Sequence, residues 1–468
     1  MAVSILIDQK PLYTVLPIGQ QVMFSVSEAT IVATKFKVKF VAQVHVSNTA
    51  INLSNNNDLI GTFKTTPNNA GVGIFDLRTV LETFIKPDNQ GSTFGAGSTY
   101  KASSQTHPIH LIDKFAVSEN SMKHFAVNFF IEYADTATDP VIDFTTLDYT
   151  SSVQYKMFNG VIQYDDVLDI NQNDFGYDMS DYYMSITAPS TSKSFLTTSP
   201  LTHYARVTDY GTLPFLNFIP STNRVYEMFI TYYDSSSSII STEAVRQGYT
   251  NGGWSNAGSY AYINLMYFGA FPGNLENWSS TFAAAVVSGL SYYTVVARNS
   301  AGDKISNGHT INILCAEIKG FEGIRLAWLN TWGTWDYYTF NMKSTRSVTT
   351  NRTSYTQLGG TWNESTFKIA GYKGGKKNFR VNSTERIKLN TDFVTEEEGV
   401  WFEQLINSNE VYVLEGFQTD SASSALNTYV QPTTVTNSSY TRKTIANDRL
   451  MQYTFEIEKS KMKRTQAV

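Results

Sequence analysis

His107-Pro-Ile-His110 is the only close histidine pair in the chain, and paired imidazoles are where metal chemistry would begin. Zinc needs one or two further ligands at ordered spacing. Asp113 lies nearby, but the proline breaks a helical i,i+3 presentation, so the motif reads as a polar loop. Asp165-Asp166 and the acids between Asp169 and Asp174 lack the glycine and terminal glutamate of an EF-hand loop, and read as surface turns. No Gly-x-Ser-x-Gly elbow is present, and no glycine-rich loop leads into Lys-Ser/Thr. Two carboxylates on separate strands would leave no local motif, so glycoside hydrolysis stays open on sequence grounds. Trp328, Trp332, Trp335 and Trp362 have flat faces on which sugars could stack, but they read first as core and interface anchors. The expectation is therefore a non-enzyme with no cofactor and no metal.

The elements that would carry these residues are strands. The 468 residues include 28 Tyr, 29 Phe and 7 Trp; 14% are aromatic and only 16% charged. About 25% charged is usual for a soluble domain. A surface so poor in charge is either rich in Ser, Thr and Asn or covered by partners. At roughly 150 residues per domain the length allows about two to four domains. A net charge of -5 argues against a general nucleic-acid binder. Cys315 is alone in an apolar run, which excludes a disulfide within the chain and suggests a small buried hydrophobe. No apolar stretch approaches 18 residues, and the start Met1-Ala-Val-Ser-Ile-Leu-Ile-Asp8 lacks a basic n-region; neither a spanning helix nor a signal peptide is expected.

Period-2 alternation marks the strands. Phe36, Val38, Phe40, Ala42, Val44 and Val46 fall on one face, with Lys35, Lys37, Lys39, Gln43 and His45 on the other, the pattern of a half-buried antiparallel strand. Phe125 to Tyr133, Val225 to Tyr233, Tyr292 onward and Met451 to Ile457 repeat it. Asp76 can cap a helix carrying Leu77, Val80, Leu81, Phe84 and Ile85, which Pro87 stops. The glycine-rich run from Gln90 to Ser98 reads as an exposed loop. A second helix begins at Thr395, with Glu398 completing a capping box and Trp401/Leu405 and Phe402/Ile406 forming i,i+4 pairs. Gly323 to Asn330, an aromatic turn at Thr331 to Asp336, and Tyr337 to Met342 read as a hairpin. Lys373, Lys376, Lys377 and Arg380 read as a solvated hairpin tip or the complement of an acidic neighbour.

The segment Gly323-Ile-Arg-Leu-Ala-Trp-Leu-Asn-Thr-Trp-Gly-Thr-Trp-Asp-Tyr-Tyr-Thr-Phe340 resembles one in virion structural proteins of tailed bacteriophages, as do Asp209-Tyr-Gly-Thr-Leu-Pro-Phe-Leu-Asn217 and the Thr395 helix with its following strand. The C-terminal order of hairpin, amphipathic helix and long strands is also similar to the tail-tube sandwich. The resemblance implies ring-forming subunits and no catalytic residues. The stretch from Tyr293 to Gly302 is similar to a late strand and turn of fibronectin type III domains.

The expected fold is mainly β: multi-domain antiparallel β-sandwiches with a few short helices. Three modules are expected, at 1–150, 151–318 (fibronectin-like) and 319–468 (tail-tube-like). The expected function is a phage virion structural protein, in the tail or baseplate, acting as a ring or adaptor subunit, made in the host cytoplasm. The alternatives are a host-recognition module that binds surface glycan, or a capsid decoration protein. Expected partners are other virion proteins and further copies of the chain, without direct nucleic-acid contact. Trp328, Trp332, Trp335, Tyr337 and Tyr338 exceed what one sheet face needs, so they are the expected subunit contacts.

Overall fold

The computed structural model describes residues 4–54, 56–89, 109–112, 114–118, 120–162, 179–184, 193–218, 224–246, 263–314, 320–414, 430–441 and 451–465. The fold is mainly β, with short helices. The described residues form two compact units, one drawn from 4–314 and 329–336, the other from 320–328 and 337–465.

The first unit is built on the long strands Phe36–Ser47 and Met122–Ala134, which pair antiparallel with Ala42 opposite Phe129 and Val44 opposite Val127. Leu59–Thr65 extends the sheet on one side; Tyr155–Phe158 and then Val15–Pro17, in parallel, extend it on the other. A three-stranded sheet of Leu6–Gln9, Met23–Ser27 and Val72–Asp76 packs against it. Aromatic rings fill the space between the layers: Phe24 and Phe75 sit 5.4 and 5.8 Å from Phe129. That is the interdigitated core of a β-sandwich.

Both long strands depart from the expected half-burial. Phe36, meant for the core, is exposed, and Lys37 takes a left-handed backbone (φ 53°) at an irregularity in the pairing. Beyond that point Phe40 to Val46 are buried on both faces, Gln43 and His45 included. The second face also carries His124, Asn128, Glu132 and Lys156, all buried. Alternation of polar and apolar residues here separates a polar buried face from an apolar one, rather than solvent from core.

The sheets do not stop at residue 150. Tyr155–Phe158 belongs to the first sandwich, and Phe115–Val117 pairs with Ile263–Gly269 in a sheet with Thr212–Phe218 and Tyr183–Met184. A five-stranded sheet is separate: Ile239–Arg246, Glu227–Tyr233, Tyr292–Arg298, His309–Ile313 and, in parallel, Thr202–Ala205. The helix expected from Asp76 is one turn, Arg78–Leu81, followed by a 3-10 turn to Phe84; Asp76 Oδ1 accepts from Arg78 N at 3.1 Å. Helices Pro272–Glu276 and Ser280–Val287 went unexpected, because the second is apolar nearly all round and shows little periodicity. Ser279 caps it, its Oγ accepting from Phe282 N at 2.8 Å.

In the second unit a seven-stranded sheet runs in the order Trp335–Phe340, Ile324–Leu329, Val411–Leu414, Val430–Val435, Thr454–Lys459, Gly375–Asn390, Thr345–Gln357. Helix Glu396–Asn407 lies on it. Its capping box is complete: Thr395 Oγ1 accepts from Glu398 N at 3.2 Å, and Thr395 N donates to Glu398 Oε2 at 2.7 Å. Trp401, Phe402 and Leu405 are buried against Trp328, Phe340, Phe455 and Ile457. No helix among the described residues is long and apolar enough to cross a membrane.

Candidate assembly interface

The aromatic residues assigned to subunit contacts have partners inside the chain. Trp328 is fully buried, its ring 4.8 Å from Trp401. Tyr337 is buried beneath the Arg325 guanidinium at 5.3 Å, and Arg325 also donates to Thr339 Oγ1 at 2.8 Å. Tyr338 is half-buried, edge-on to Phe402 at 4.8 Å. Trp332 packs 5.0 Å from Tyr182 and 6.3 Å from Phe158. Trp335 donates from Nε1 to the Asp88 carbonyl at 2.5 Å and meets His110 edge-on at 4.7 Å. Trp328, Trp332, Trp335 and Tyr337 are thus buried within the chain, while Tyr338 keeps part of its surface.

The turn between them is held by Asn330. Its Oδ1 accepts from Trp332 N at 3.0 Å and Thr334 N at 3.1 Å, while its Nδ2 donates to Asp336 Oδ1 at 3.0 Å. Gly333 takes φ 69°, and a Cβ there would stand 1.5 Å from the Asn159 carbonyl oxygen. Only glycine fits that approach.

The described histidines are interior. His110 is buried, and His107 and Asp113 lie outside the described residues, as do Asp165-Asp166, Asp169 to Asp174, Gln90 to Ser98 and Cys315. Among the described residues no three His, Cys, Asp or Glu side chains gather as metal ligands. His203 Nε2 and His309 Nδ1 share a hydrogen bond at 2.9 Å, which requires one ring to donate and the other to accept; burial pushes His309 down to about 4. Lys156 donates to Asn264 Oδ1 at 3.0 Å, and burial pushes it down to about 7. His124 is held down to about 3 by burial and by the charge of Lys156. Asp88 accepts from Asn120 N at 2.8 Å, Ser121 Oγ at 2.5 Å and Tyr267 Oη at 3.2 Å. These networks tie layers together within the first unit.

The feature that faces outward is a β-arm. Thr345–Gln357 and Gly375–Asn390 pair antiparallel from Thr345 opposite Lys388 to Gln357 opposite Gly375. Thirteen residues at ~3.3 Å give a hairpin of roughly 40 Å. Its root is anchored: Ile387 and Leu389 are buried, Arg386 to Asn390 pair with Thr454 to Glu458, and Arg386 Nε donates to Glu458 at 2.7 Å. Buried Glu385 accepts from Lys463 Nζ and from Arg346 Nη1 at 2.9 Å, and these two cations hold its carboxyl below the usual range. Beyond the root, residues 345–356 and 375–381 are all exposed. The tip carries Trp362, Ile369 and Tyr372 at 71, 89 and 79% exposure, with Leu358 and Phe367 also out. The expected basic hairpin tip at Lys373 to Arg380 lies on this arm.

The sequence signal for the arm was present but faint. Thr345–Gln357 is rich in β-branched threonine with almost no apolar face, so the alternation that betrays other strands is missing. No protein-family model matches the chain, and no curated protein matches it.

Proposed function

We propose that the chain is a structural protein of the virion of a tailed bacteriophage, a tail or baseplate ring or adaptor subunit that works by assembly. The β-arm carries this reading. A two-stranded hairpin alone is marginally stable in water, yet this one extends with both faces exposed and large apolar side chains at its end. Exposed apolar clusters of this kind mark interaction sites. The ion-paired root fixes the arm's direction, which suits an element that meets a partner at a defined place. The motif resemblance at Gly323 to Phe340 supports the phage setting.

A second reading, host recognition, is favoured by Trp362 and Tyr372, whose exposed rings at the arm's tip could stack on surface glycan. Mass spectrometry and antibody labelling of purified particles of the encoding phage separate the possibilities. Label buried between particle proteins supports the adaptor; label at a distal tip, with binding to host envelope fractions, supports recognition. Absence from the particles overturns both.

A further inference from the structure

We infer that the β-arm of one copy docks on the acidic segment 135–148 in the first unit of a second copy, so that copies join head to tail. This rests on the assembly reading and names its partner.

The argument is charge, exposure and reach. Residues 345–390 contain nine Lys/Arg and two Asp/Glu, a net of +7; the described residues within 1–314 contain 16 Lys/Arg and 18 Asp/Glu, a net of -2. The arm's cations stand beyond its root, at Arg352, Lys368, Lys373, Lys376, Lys377 and Arg380. None of these contributes to the root's ion pairs.

In the first unit the densest described acidic run is Asp135, Asp139, Asp143 and Asp148, the segment leaving strand Met122–Ala134. Lys35 pairs with Asp135 at 2.5 Å. Lys37 donates to the Asp139 backbone carbonyl at 2.8 Å, not to its carboxylate. Among the described residues Asp139, Asp143 and Asp148 have no ion pair within 4 Å; Asp143 Oδ1 accepts from Thr145 N at 3.0 Å, and that bond, with the charge of Lys64, holds its carboxyl below the usual range. Exposed Val141 and Tyr149 interleave with them, so the run offers the same mixture of charge and apolar surface as the arm, with the opposite sign. Complementary potentials of this kind set partner and register. Arm and acceptor are different patches of one chain, so the contact is heterologous: repeated copies form a ring if the rotation closes and a filament if it does not.

The test uses the full chain, observed by mass photometry at about 50 mM and about 500 mM salt, since surface charge contacts weaken as screening rises. Wild type is expected to associate at low salt and dissociate at high salt. Lys373→Glu, Lys376→Glu, Lys377→Glu and Arg380→Glu together should weaken association about tenfold or more, as should Asp139→Lys, Asp143→Lys and Asp148→Lys together. Mixing the two reversed chains should restore assembly, because each arm then meets an acceptor of opposite sign. A third variant joins Thr350 to Ser383, which are paired opposite each other, through Asn-Gly; it should keep the wild-type circular dichroism and remain monomeric. A wild type that is monomeric at both salts, association that persists without the arm, or a mixture that fails to assemble overturns the docking. Each of these leaves the virion reading standing if the chain is found in particles. An arm-dependent affinity for glycan or for nucleic acid in place of self-association also overturns it.

Discussion

Phe402 is the residue on which the second unit's core turns. It is fully buried, with Tyr338 at 4.8 Å, Trp401 at 5.2 Å, Phe455 at 5.4 Å and Phe340 at 6.2 Å between ring centres. With Trp401 and Leu405, this ring joins the helix to the sheet. A buried phenylalanine removes roughly 150 Å² or more from water, and ~25 cal/mol per Å² gives about 4 kcal/mol. Measured Phe→Ala losses in cores span about 3–5 kcal/mol, since the cavity collapses only partly. For a unit of this size about 4 kcal/mol corresponds to a fall in Tm of roughly 8–16 °C. Phe402→Ala should show that fall in differential scanning calorimetry, with loss of near-ultraviolet aromatic dichroism at the lower temperature. Phe402→Leu, which keeps more of the volume, should lose about half as much or less. A fall below about 3 °C for the alanine variant, with the aromatic signal intact, would refute the argument that this ring joins the layers.

Thr395→Ala removes the acceptor for Glu398 N and half of the capping box; a loss of about 1 kcal/mol is expected in urea unfolding, with Thr395→Ser near wild type. Gly333→Ala places a methyl where the Asn159 carbonyl already stands, so a loss of about 2–4 kcal/mol is expected and a Tm equal to wild type would refute the geometry. Acid should destabilise the chain. The unfolded histidines take up protons near pH 6.5, whereas folded His124 and His309 resist until about 3 and about 4. Their contribution is therefore complete above pH 6.5 and is lost as pH falls towards 4, at up to about 1.4 kcal/mol per pH unit for each. Lys156, pushed down to about 7, adds a second limb of the same sign: between pH 7 and about 10 only the unfolded lysine holds its proton, so stability rises with pH there. His124→Gln should flatten the acid limb in a Tm-against-pH series; an unchanged slope would count against the burial of that ring.

The strands, the capping box and the inward set of the last strand were legible in the sequence. Met451, Tyr453, Phe455 and Ile457 are buried, and Gln452 and Thr454 exposed, as alternation requires. What alternation could not convey is how many layers lie above a strand. His45 and Lys156 look like solvent-facing residues by type, and only tertiary packing puts them indoors. Trp328 and Trp335 look like surplus on one sheet, and their partners Trp401 and Asp88 lie 73 and 247 residues away in sequence. The arm was obscured for the converse reason: a strand that buries nothing has no apolar period to read.

The chain leaves the first unit after residue 314 and returns to it for 329–336 before continuing through the second. Neither unit is therefore a contiguous length of gene. A recombination event that exchanged everything after residue 320 would import a foreign turn into the first unit, and with it the donor to the Asp88 carbonyl and the acceptor of the Thr197 hydroxyl, which bonds Asp336 at 2.5 Å. A swap that keeps Asn330, Gly333, Trp335 and Asp336 keeps the turn and these two bonds. The hairpin from Ile324 to Phe340 therefore ties the inheritance of the two units together, while the β-arm begins and ends inside one unit and could be exchanged alone only with its charge kept.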